Sequence, residues 1–335
     1  MNRPVGIALV GMGWWGKKML NVLAAAPEDI RVVRAVEPNL ETALALCAEK
    51  GVELSANYAD ALADPAVEAV VLATPHALHG SQIEAAVAAG KHVFCEKPLA
   101  LTKAGAEKAV RLCRDAGLVL GMGHERRWEP PIADLLAKAD AGELGRIHQI
   151  EANFSHDKFL ALDRDNWRLK ADQAPAGGMT ATGIHLLDLS VRLLGPAESV
   201  LCICEQLSSD LPQGDTVAAY VKFKAGGTSY VSASLANPFM SRFTVYGSKG
   251  WIDIRDKAHV ESPAGWIVTS AMAGGPITTA EVPPAEPVKD NLVSFARAVR
   301  GRETYPITAT HLVDNIALLE AIFASASSGK IEIVA

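Results

Sequence analysis

Much that would mark a particular partner is missing from this sequence. Basic residues do not outnumber acidic ones: 32 Lys and Arg stand against 38 Asp and Glu, a net charge of −6. Such a chain offers no cationic surface to nucleic acid or to an anionic lipid sheet. Cysteine is sparse, and Cys47, Cys95, Cys113, Cys202 and Cys204 lack the paired spacing of a zinc site. An odd number of thiols scattered through apolar segments reads as reduced cysteine in a cytoplasmic protein. No apolar run reaches the ~18 residues that a membrane span needs. The run from Met1 to Val10 is shorter than the apolar core of a signal peptide. The histidines have no clustered carboxylate or thiolate partners, so no metal site is expected. Internal repeats and low-complexity tracts are absent as well.

What the chain does have is enough apolar material for sizeable cores, 49% of 335 residues, a length that suits two domains. Up to about residue 124, short β-rich runs alternate with helical stretches. Val5 to Val10, Arg31 to Val36, Val67 to Ala73, His92 to Cys95 and Leu118 to Gly121 read as strands. Helices are expected near 16–26, 40–50, 79–89 and 103–115. Fully apolar strands in that rhythm imply a parallel sheet covered on both faces. From Arg126 the pattern changes. After a helix near Pro131 to Lys138, strands of alternating polarity follow at 146–154, 199–206, 216–224, 228–235, 242–246 and 251–254. They suit an open, mostly antiparallel sheet in an α+β domain. The expected division is 1–124 and 125–335, with a Pro/Ala linker at 283–287, a helix from near Asp290 and a closing helix near 311–327.

Directly after the first strand stands Gly11-Met12-Gly13-Trp14-Trp15-Gly16. In a strand–turn–helix setting this G-x-G-x-x-G has a mechanical meaning. Gly11 permits the tight turn, Gly13 lets backbone approach a pyrophosphate, and Gly16 lets helix and strand pack closely. Free N–H groups at the helix start, including those of Met12, Trp14 and Trp15, would then face the phosphates. Glu37 closes the second strand 21 residues after Gly16, where an acid can accept hydrogen bonds from a ribose 2′-OH and repel a 2′-phosphate. A doubly wound Rossmann sheet binding NAD is therefore expected, with NADP the alternative because Arg34 is near.

Glu96-Lys97-Pro98 follows the strand at 92–95, at the sheet end where open α/β folds hold ligands. With the glycine motif and Ala73-Thr74-Pro75-His76-Ala77-Leu78-His79, it resembles the Gfo/Idh/MocA oxidoreductase family. The resemblance runs from about Val5 to Val334 and includes the closing segments Ala317 to Ile322 and Ser325 to Gly329. It implies that Thr74, Pro75, His76 and His79 line the nicotinamide side of the cofactor, beside Glu96. It also implies that Lys97 contacts both the nicotinamide ribose and a substrate hydroxyl. An ammonium there can hold the oxygen and, with a lowered pKa, exchange its proton. The alternative is a surface lysine before a proline turn.

In the second domain, Gly177-Gly178 leads into Met179-Thr180-Ala181-Thr182-Gly183-Ile184-His185, read as the start of a helix. The family pattern is a glycine cluster, an Asp, and a His four positions later. His185 matches the His, while Ala181 stands at the Asp position, and this puts the Asp-assisted proton relay in doubt. A neutral imidazole at His185 can take a carbinol proton near pH 7. The competing reading is a hydrogen-bonded histidine on a buried helix. Thr180 or Thr182 is the substitute hydroxyl at the substrate, although Thr182, only three residues from His185, need not face it. Asp188 is expected to brace the helix. Arg126, Trp167 and Arg168 are further substrate contacts, an aromatic face and guanidinium groups suiting sugar or carboxylate. Arg168 has the alternative of pairing with Asp163 or Asp165. His156 and Asp157 are weaker candidates.

The expected activity is hydride transfer between NAD and a carbinol carbon of a sugar, inositol or related polyol, with Lys97 and His185 handling the proton. The resemblance implies a homodimer or homotetramer built through the second-domain sheet. The other readings are an aromatic cis-dihydrodiol dehydrogenase, a redox-elimination lyase or glycosidase, and a non-catalytic NAD-binding sensor.

Overall fold

The computed structural model describes residues 3–335; Met1 and Asn2, where the N-terminal apolar run begins, lie outside them. The chain forms two compact units. One comprises residues up to Trp128 together with Glu286–Leu312, the other Glu129–Ala285 and Val313–Ala335.

In the first unit, strands β1 (Val5–Val10), β2 (Ile30–Val36), β3 (Glu53–Ser55), β4 (Ala69–Leu72), β5 (His92–Cys95) and β6 (Leu120–Met122) form one parallel sheet in the order β3-β2-β1-β4-β5-β6. Helices α1 (Trp14–Leu23), α2 (Leu44–Lys50), α3 (Tyr58–Ala63), α4 (His76–Ala88) and α5 (Lys103–Asp115) connect them. Every residue of β1 and β4 is buried, as strands covered on both faces require. The strand order reverses between β1 and β4, so their carboxyl ends flank the crevice where such sheets take ligands. The single helix expected over 40–50 is instead a 3₁₀ turn at Leu40–Thr42 followed by α2. Leu40 and Leu44 are both exposed.

The second unit contains α6 (Pro130–Asp140), β7 (Ile147–Ser155), α7 (Ile184–Leu194), β8 (Ala197–Glu205), β9 (Thr216–Phe223), β10 (Thr228–Ser234), β11 (Met240–Gly247), β12 (Gly250–Asp256), β13 (Trp266–Met272), β14 (Thr278–Val282) and β15 (Glu332–Ile333). Its nine strands run in the order β14-β13-β12-β11-β7-β10-β9-β8-β15. Neighbours are antiparallel except β10 and β7, which pair in parallel. Alternation is clear along β9: Val217, Ala219, Val221 and Phe223 are buried while Tyr220 is exposed.

Two helices complete the chain, α8 (Pro287–Val299) and α9 (Ala309–Ser328). The sequence reading left α8 in the second domain, yet α8 is stitched into the first unit. Phe295 meets Phe94 of β5 edge to face at 5.6 Å. Both rings press on Gly121, where a Cβ would lie 2.7 Å from each. Arg300 grips Glu68 with two bonds of 2.7 Å. Among the described residues no helix is long and apolar enough to cross a membrane, and no group of three or more His, Cys, Asp or Glu is placed to hold a metal.

Candidate active site

The three loop glycines differ in what surrounds them. Gly11 has φ +92°, and a Cβ there would lie 2.7 Å from the carbonyl oxygen of Ala73. At Gly16 a Cβ would lie 2.0 Å from the carbonyl oxygen of Gly11, so the loop and α1 are in backbone contact. At Gly13 a Cβ would meet nothing within 4 Å. Gly13 is also the N-cap of α1, whose first N–H groups have no side-chain cap. An open approach to uncapped amide donors fits a diphosphate. Trp14 is largely exposed and meets Trp15 edge to face at 5.3 Å. The buried indole Nε1 of Trp15 has no acceptor among the described residues.

Glu37 leaves β2 beside this loop. Its carboxylate accepts the Met12 N–H at 2.9 Å and the Asn39 N–H at 3.2 Å, which ties the end of β2 to the glycine turn. Arg34, the cation that kept NADP open, is engaged elsewhere. It pairs with Glu53 at 2.9 Å and Asp64 at 3.1 Å, and its side chain is mostly buried. The residues present thus fit an NAD(P) dinucleotide.

The loop after β4 is braced from within. The Thr74 hydroxyl donates to Gln82 Oε1 at 2.6 Å, and the Tyr58 hydroxyl donates to the Gln82 carbonyl at 3.0 Å. Sequence reasoning missed Gln82, although it follows His79 by three residues on the same helix. His79, expected to line the nicotinamide, is fully buried. Its Nδ1 lies 2.8 Å from the Pro98 carbonyl oxygen and its Nε2 lies 3.1 Å from that of Thr74. Burial pushes its pKa down against both contacts, favouring a neutral ring. His79 is therefore corrected to a brace between two site loops: no face of its ring reaches solvent. His76 is the half-buried first residue of α4, its ring 5.9 Å from that of His79. Pro75 is the helix N-cap position.

Glu96 and Lys97 emerge from β5, and a cis peptide joins Lys97 to Pro98. The Lys97 N–H donates to Glu96 Oε2 at 3.2 Å. Glu96 is buried, and so are His124, Glu125, Arg126 and Arg127 after β6. Arg126, read as a substrate contact, is in fact only 3% exposed. Burial first, and then the charge of Glu96, push the Glu125 carboxyl up to about 8, against the downward pull of Lys97 and Arg126.

In the second unit the expected helix start is a five-residue π turn, Met179–Gly183, which leads straight into α7. Such one-turn insertions recur at functional sites. His185 is the second residue of α7 and is 4% exposed; Asp188, one turn later, is 2% exposed. Thr182, expected at the substrate, directs its one hydroxyl proton to the Phe154 and Gly178 carbonyls, at 2.7 and 3.0 Å, so it braces the turn instead. The Thr180 hydroxyl donates to the Pro175 carbonyl. Ala181 packs against a cluster of Leu169, Leu211 and Leu235, together with Phe159 and Leu162. Trp167 and Arg168 are half-buried, with the guanidinium 4.3 Å from the indole centroid. Asn166 fixes this turn by accepting the Arg168 N–H at 3.0 Å, and Gln213 donates to the Arg168 carbonyl at 2.9 Å. His156, at the end of β7, joins Phe159, Phe154 and His259 in an aromatic group, its ring 5.8 Å from that of His259. His259 was not foreseen, being far away in sequence with no local signal.

Comparison with known proteins bears on these features. The chain is 31% identical over 304 residues to the 1,5-anhydro-D-fructose reductase of Ensifer adhaerens, covering 89% of this chain and 90% of that one. It is 25% identical over 324 residues to D-xylose 1-dehydrogenase (NADP(+)) 2 of Haloferax volcanii, covering 93% and 98%. The solved structure of levoglucosan dehydrogenase in complex with NADH matches at a TM-score of 0.87 with 21% identity, over 99% of this chain and 100% of that one, a likeness of fold. Residues 5–124 match the oxidoreductase family with an NAD-binding Rossmann fold, and residues 133–253 match the GFO/IDH/MocA C-terminal domain. With both parts matched, the chain belongs to the GFO/IDH/MocA family of oxidoreductases.

Proposed function

We propose that this protein is an NAD-dependent dehydrogenase or reductase acting on a carbinol carbon of a sugar, inositol or related polyol. The observation that carries the reading is an alignment within the first unit. Its strands are parallel, so the glycine loop after β1, Glu37 after β2, Thr74 after β4 and Lys97 after β5 all leave the sheet at one edge. Bound NAD supplies the hydride acceptor, or NADH the donor. The amides around Gly13 hold the diphosphate, and Glu37 holds the adenosine ribose. Lys97 orients the reacting hydroxyl and exchanges its proton. His185 is the second proton-handling group, and Trp167 and Arg168 are the substrate contacts. The first unit, α8 included, is the nucleotide-binding part in this reading, and the second unit serves substrate and assembly. Exposed Leu201, Ile203, Tyr220 and Tyr230 on the nine-stranded sheet support a homodimer or homotetramer built on that face. Five free cysteines suit the cytoplasm.

A second reading has one observation in its favour. Ala181 lies among Leu169, Leu211, Leu235 and Phe159, so a substrate with an apolar face, such as an aromatic cis-dihydrodiol, is the nearest rival.

The test mixes purified protein with NAD or NADP and a panel of sugars, inositols and dihydrodiols, following NADH absorbance. Turnover of a polyol with NAD is the expected result. Turnover confined to dihydrodiols favours the rival, product cleavage without net NADH indicates a lyase or glycosidase, and binding without turnover indicates a sensor. Lys97→Ala is expected to lower kcat by ~10²-fold or more with NADH affinity within about twofold of wild type. A variant that retains kcat removes Lys97 from the chemistry.

A further inference from the structure

Ionisable side chains meet where β5 and β6 end, and the proton chemistry set out above uses only one of them. β5 runs into Glu96 and Lys97; β6 runs into Gly123, His124 and Glu125. The strands pair in parallel with Cys95 opposite Met122, and the Gly123 N–H closes on the Cys95 carbonyl at 2.9 Å. The Glu96 carboxylate lies against Gly123, where a Cβ would fall 2.4 Å from Oε2. Glycine at 123 therefore lets an acid sit over the start of the next loop. Glu125 opens the following 3₁₀ turn at 4% exposure, and Glu96 is 6% exposed. Two carboxyl groups, the Lys97 ammonium and the Arg126 guanidinium thus share a site largely closed to water. Ionising both acids there is costly, because like charges repel more strongly where water is excluded. One acid is left able to carry a proton. The second unit meanwhile has Ala181 where the family places its acid.

We propose that the Glu125 carboxyl is the proton-holding partner of Lys97. The inference rests on the role given to Lys97 above. In the oxidative direction the lysine amine accepts the substrate hydroxyl proton; NAD, when bound, would supply the hydride acceptor for the carbinol C–H. The ammonium so formed passes one proton to the Glu125 carboxylate, which restores the amine. The resulting carboxylic acid then releases that proton to solvent. One hydroxyl proton enters and one leaves, and reduction runs the same steps backwards. Glu125 acts through Lys97 and is a positioning residue.

The surroundings suit this role. The upward push on Glu125 brings its titration into the range where a proton can be both held and released. The charges of Glu96 and Lys97, just after β5, and of Arg126, in its own turn, all act on it. α8 packs against that turn and brings Asn291, which accepts from the Tyr305 hydroxyl at 2.6 Å, while Tyr305 stacks on Trp128. Elsewhere on α8, Lys289 and Asp290 pair with each other at 3.7 Å and add no net charge.

Two measurements on the full-length protein test the proposal. Reductive ¹³C-methylation with NMR, assigned through Lys97→Arg, reports the Lys97 titration without any substrate. In Glu125→Gln the Lys97 pKa is expected to fall by about one unit or more, as an opposite charge is lost. On a polyol found by the panel, Glu125→Gln is expected to lower kcat by ~10- to 100-fold with KM within about twofold. The rise of oxidative kcat through mildly alkaline pH should vanish, and Glu125→Asp should restore it in part. Identical Lys97 titration in wild type and Glu125→Gln overturns the proposal, as does an unchanged pH profile. If Glu125→Gln loses its melting transition, Glu125→Met, which removes the charge and keeps the volume, carries the test, and an unmoved Lys97 titration is again the overturning result. A fully active Lys97→Ala sinks the reading of Lys97 itself. An inactive Lys97→Ala beside a wild-type-like Glu125→Gln sinks only the present inference.

Discussion

A single methyl group placed at Gly13 or at Gly16 separates the nucleotide-holding role of the loop from its packing role. At Gly16 the new Cβ would sit 2.0 Å from the Gly11 carbonyl oxygen and 3.1 Å from its carbon. Both are backbone atoms, so no rotamer change relieves the clash and the loop or α1 must shift. Overpacking of this kind costs ~1–3 kcal/mol. The gain in helix propensity on replacing glycine, about 1 kcal/mol, offsets only part of it. Gly16→Ala is therefore expected to lower Tm by roughly 2–5 °C, and to weaken NADH binding because the displaced loop carries the amide donors. At Gly13 the added methyl meets nothing within 4 Å. Gly13→Ala should leave Tm within about 1 °C of wild type, since exposed substitutions of this kind change little. Its methyl group instead occupies the approach to the amides, and NADH Kd should rise about tenfold, or ~1.4 kcal/mol. Thermal unfolding with and without NADH, together with fluorescence titration of NADH, reads both quantities. Wild-type affinity in Gly13→Ala would refute the placement of a diphosphate at this loop. Wild-type Tm in Gly16→Ala would refute the packing argument.

Two further outcomes follow from the first unit. Glu37→Ala removes the acceptor of the Met12 and Asn39 N–H groups and the acid that repels a 2′-phosphate; the ratio of NADPH to NADH Kd should fall by ~10-fold or more, and an unchanged ratio would dissociate Glu37 from cofactor choice. Arg300→Met removes the fork on Glu68 and should cost about 2 kcal/mol in urea unfolding at neutral pH. Glu68 is held down at about 2, first by its bond to Arg300, so its stabilising contribution is complete above its ordinary pKa of 4.5 and is lost as pH falls towards 2. The gap between wild type and Arg300→Met should accordingly shrink over that window, and a constant gap would show that the pair is not the source.

The sheet of the first unit was legible because its strands are short, wholly apolar and regularly spaced. The bounds of β5 and α5 coincide with those expected from the sequence. β3 and α3 were not foreseen, since three and six residues are too short for a period to register. β13 and β14 were missed for another reason: they lie at the sheet edge, where all but one of their residues are at least partly exposed, so no apolar alternation marks them. The π turn at Met179–Gly183 has no sequence period of its own, and Met179-Thr180-Ala181-Thr182 reads equally well as the first turn of an α-helix.

The candidate site divides along the same line, between what neighbouring residues determine and what distant ones do. The glycine loop and Glu37 could be read because strand, turn and helix follow one another in the chain. Arg34 shows the limit: its partners Glu53 and Asp64 are 19 and 30 positions away, so the sequence offers a free cation next to Glu37 where the fold supplies an occupied one. His79 is a similar case. Residue type and motif placed it at the cofactor, but its two carbonyl contacts come from Thr74 and Pro98, on either side of α4 in the chain. Glu125-Arg126-Arg127 is the strongest instance. A run of charge beside a strand end reads as a segment open to substrate, whereas packing of α8 against this turn buries it. Charge that local sequence would leave in water is held out of it by a helix more than 150 residues further on. A buried carboxyl next to Lys97 is thus a product of tertiary structure, and its burial is what a motif reading cannot supply.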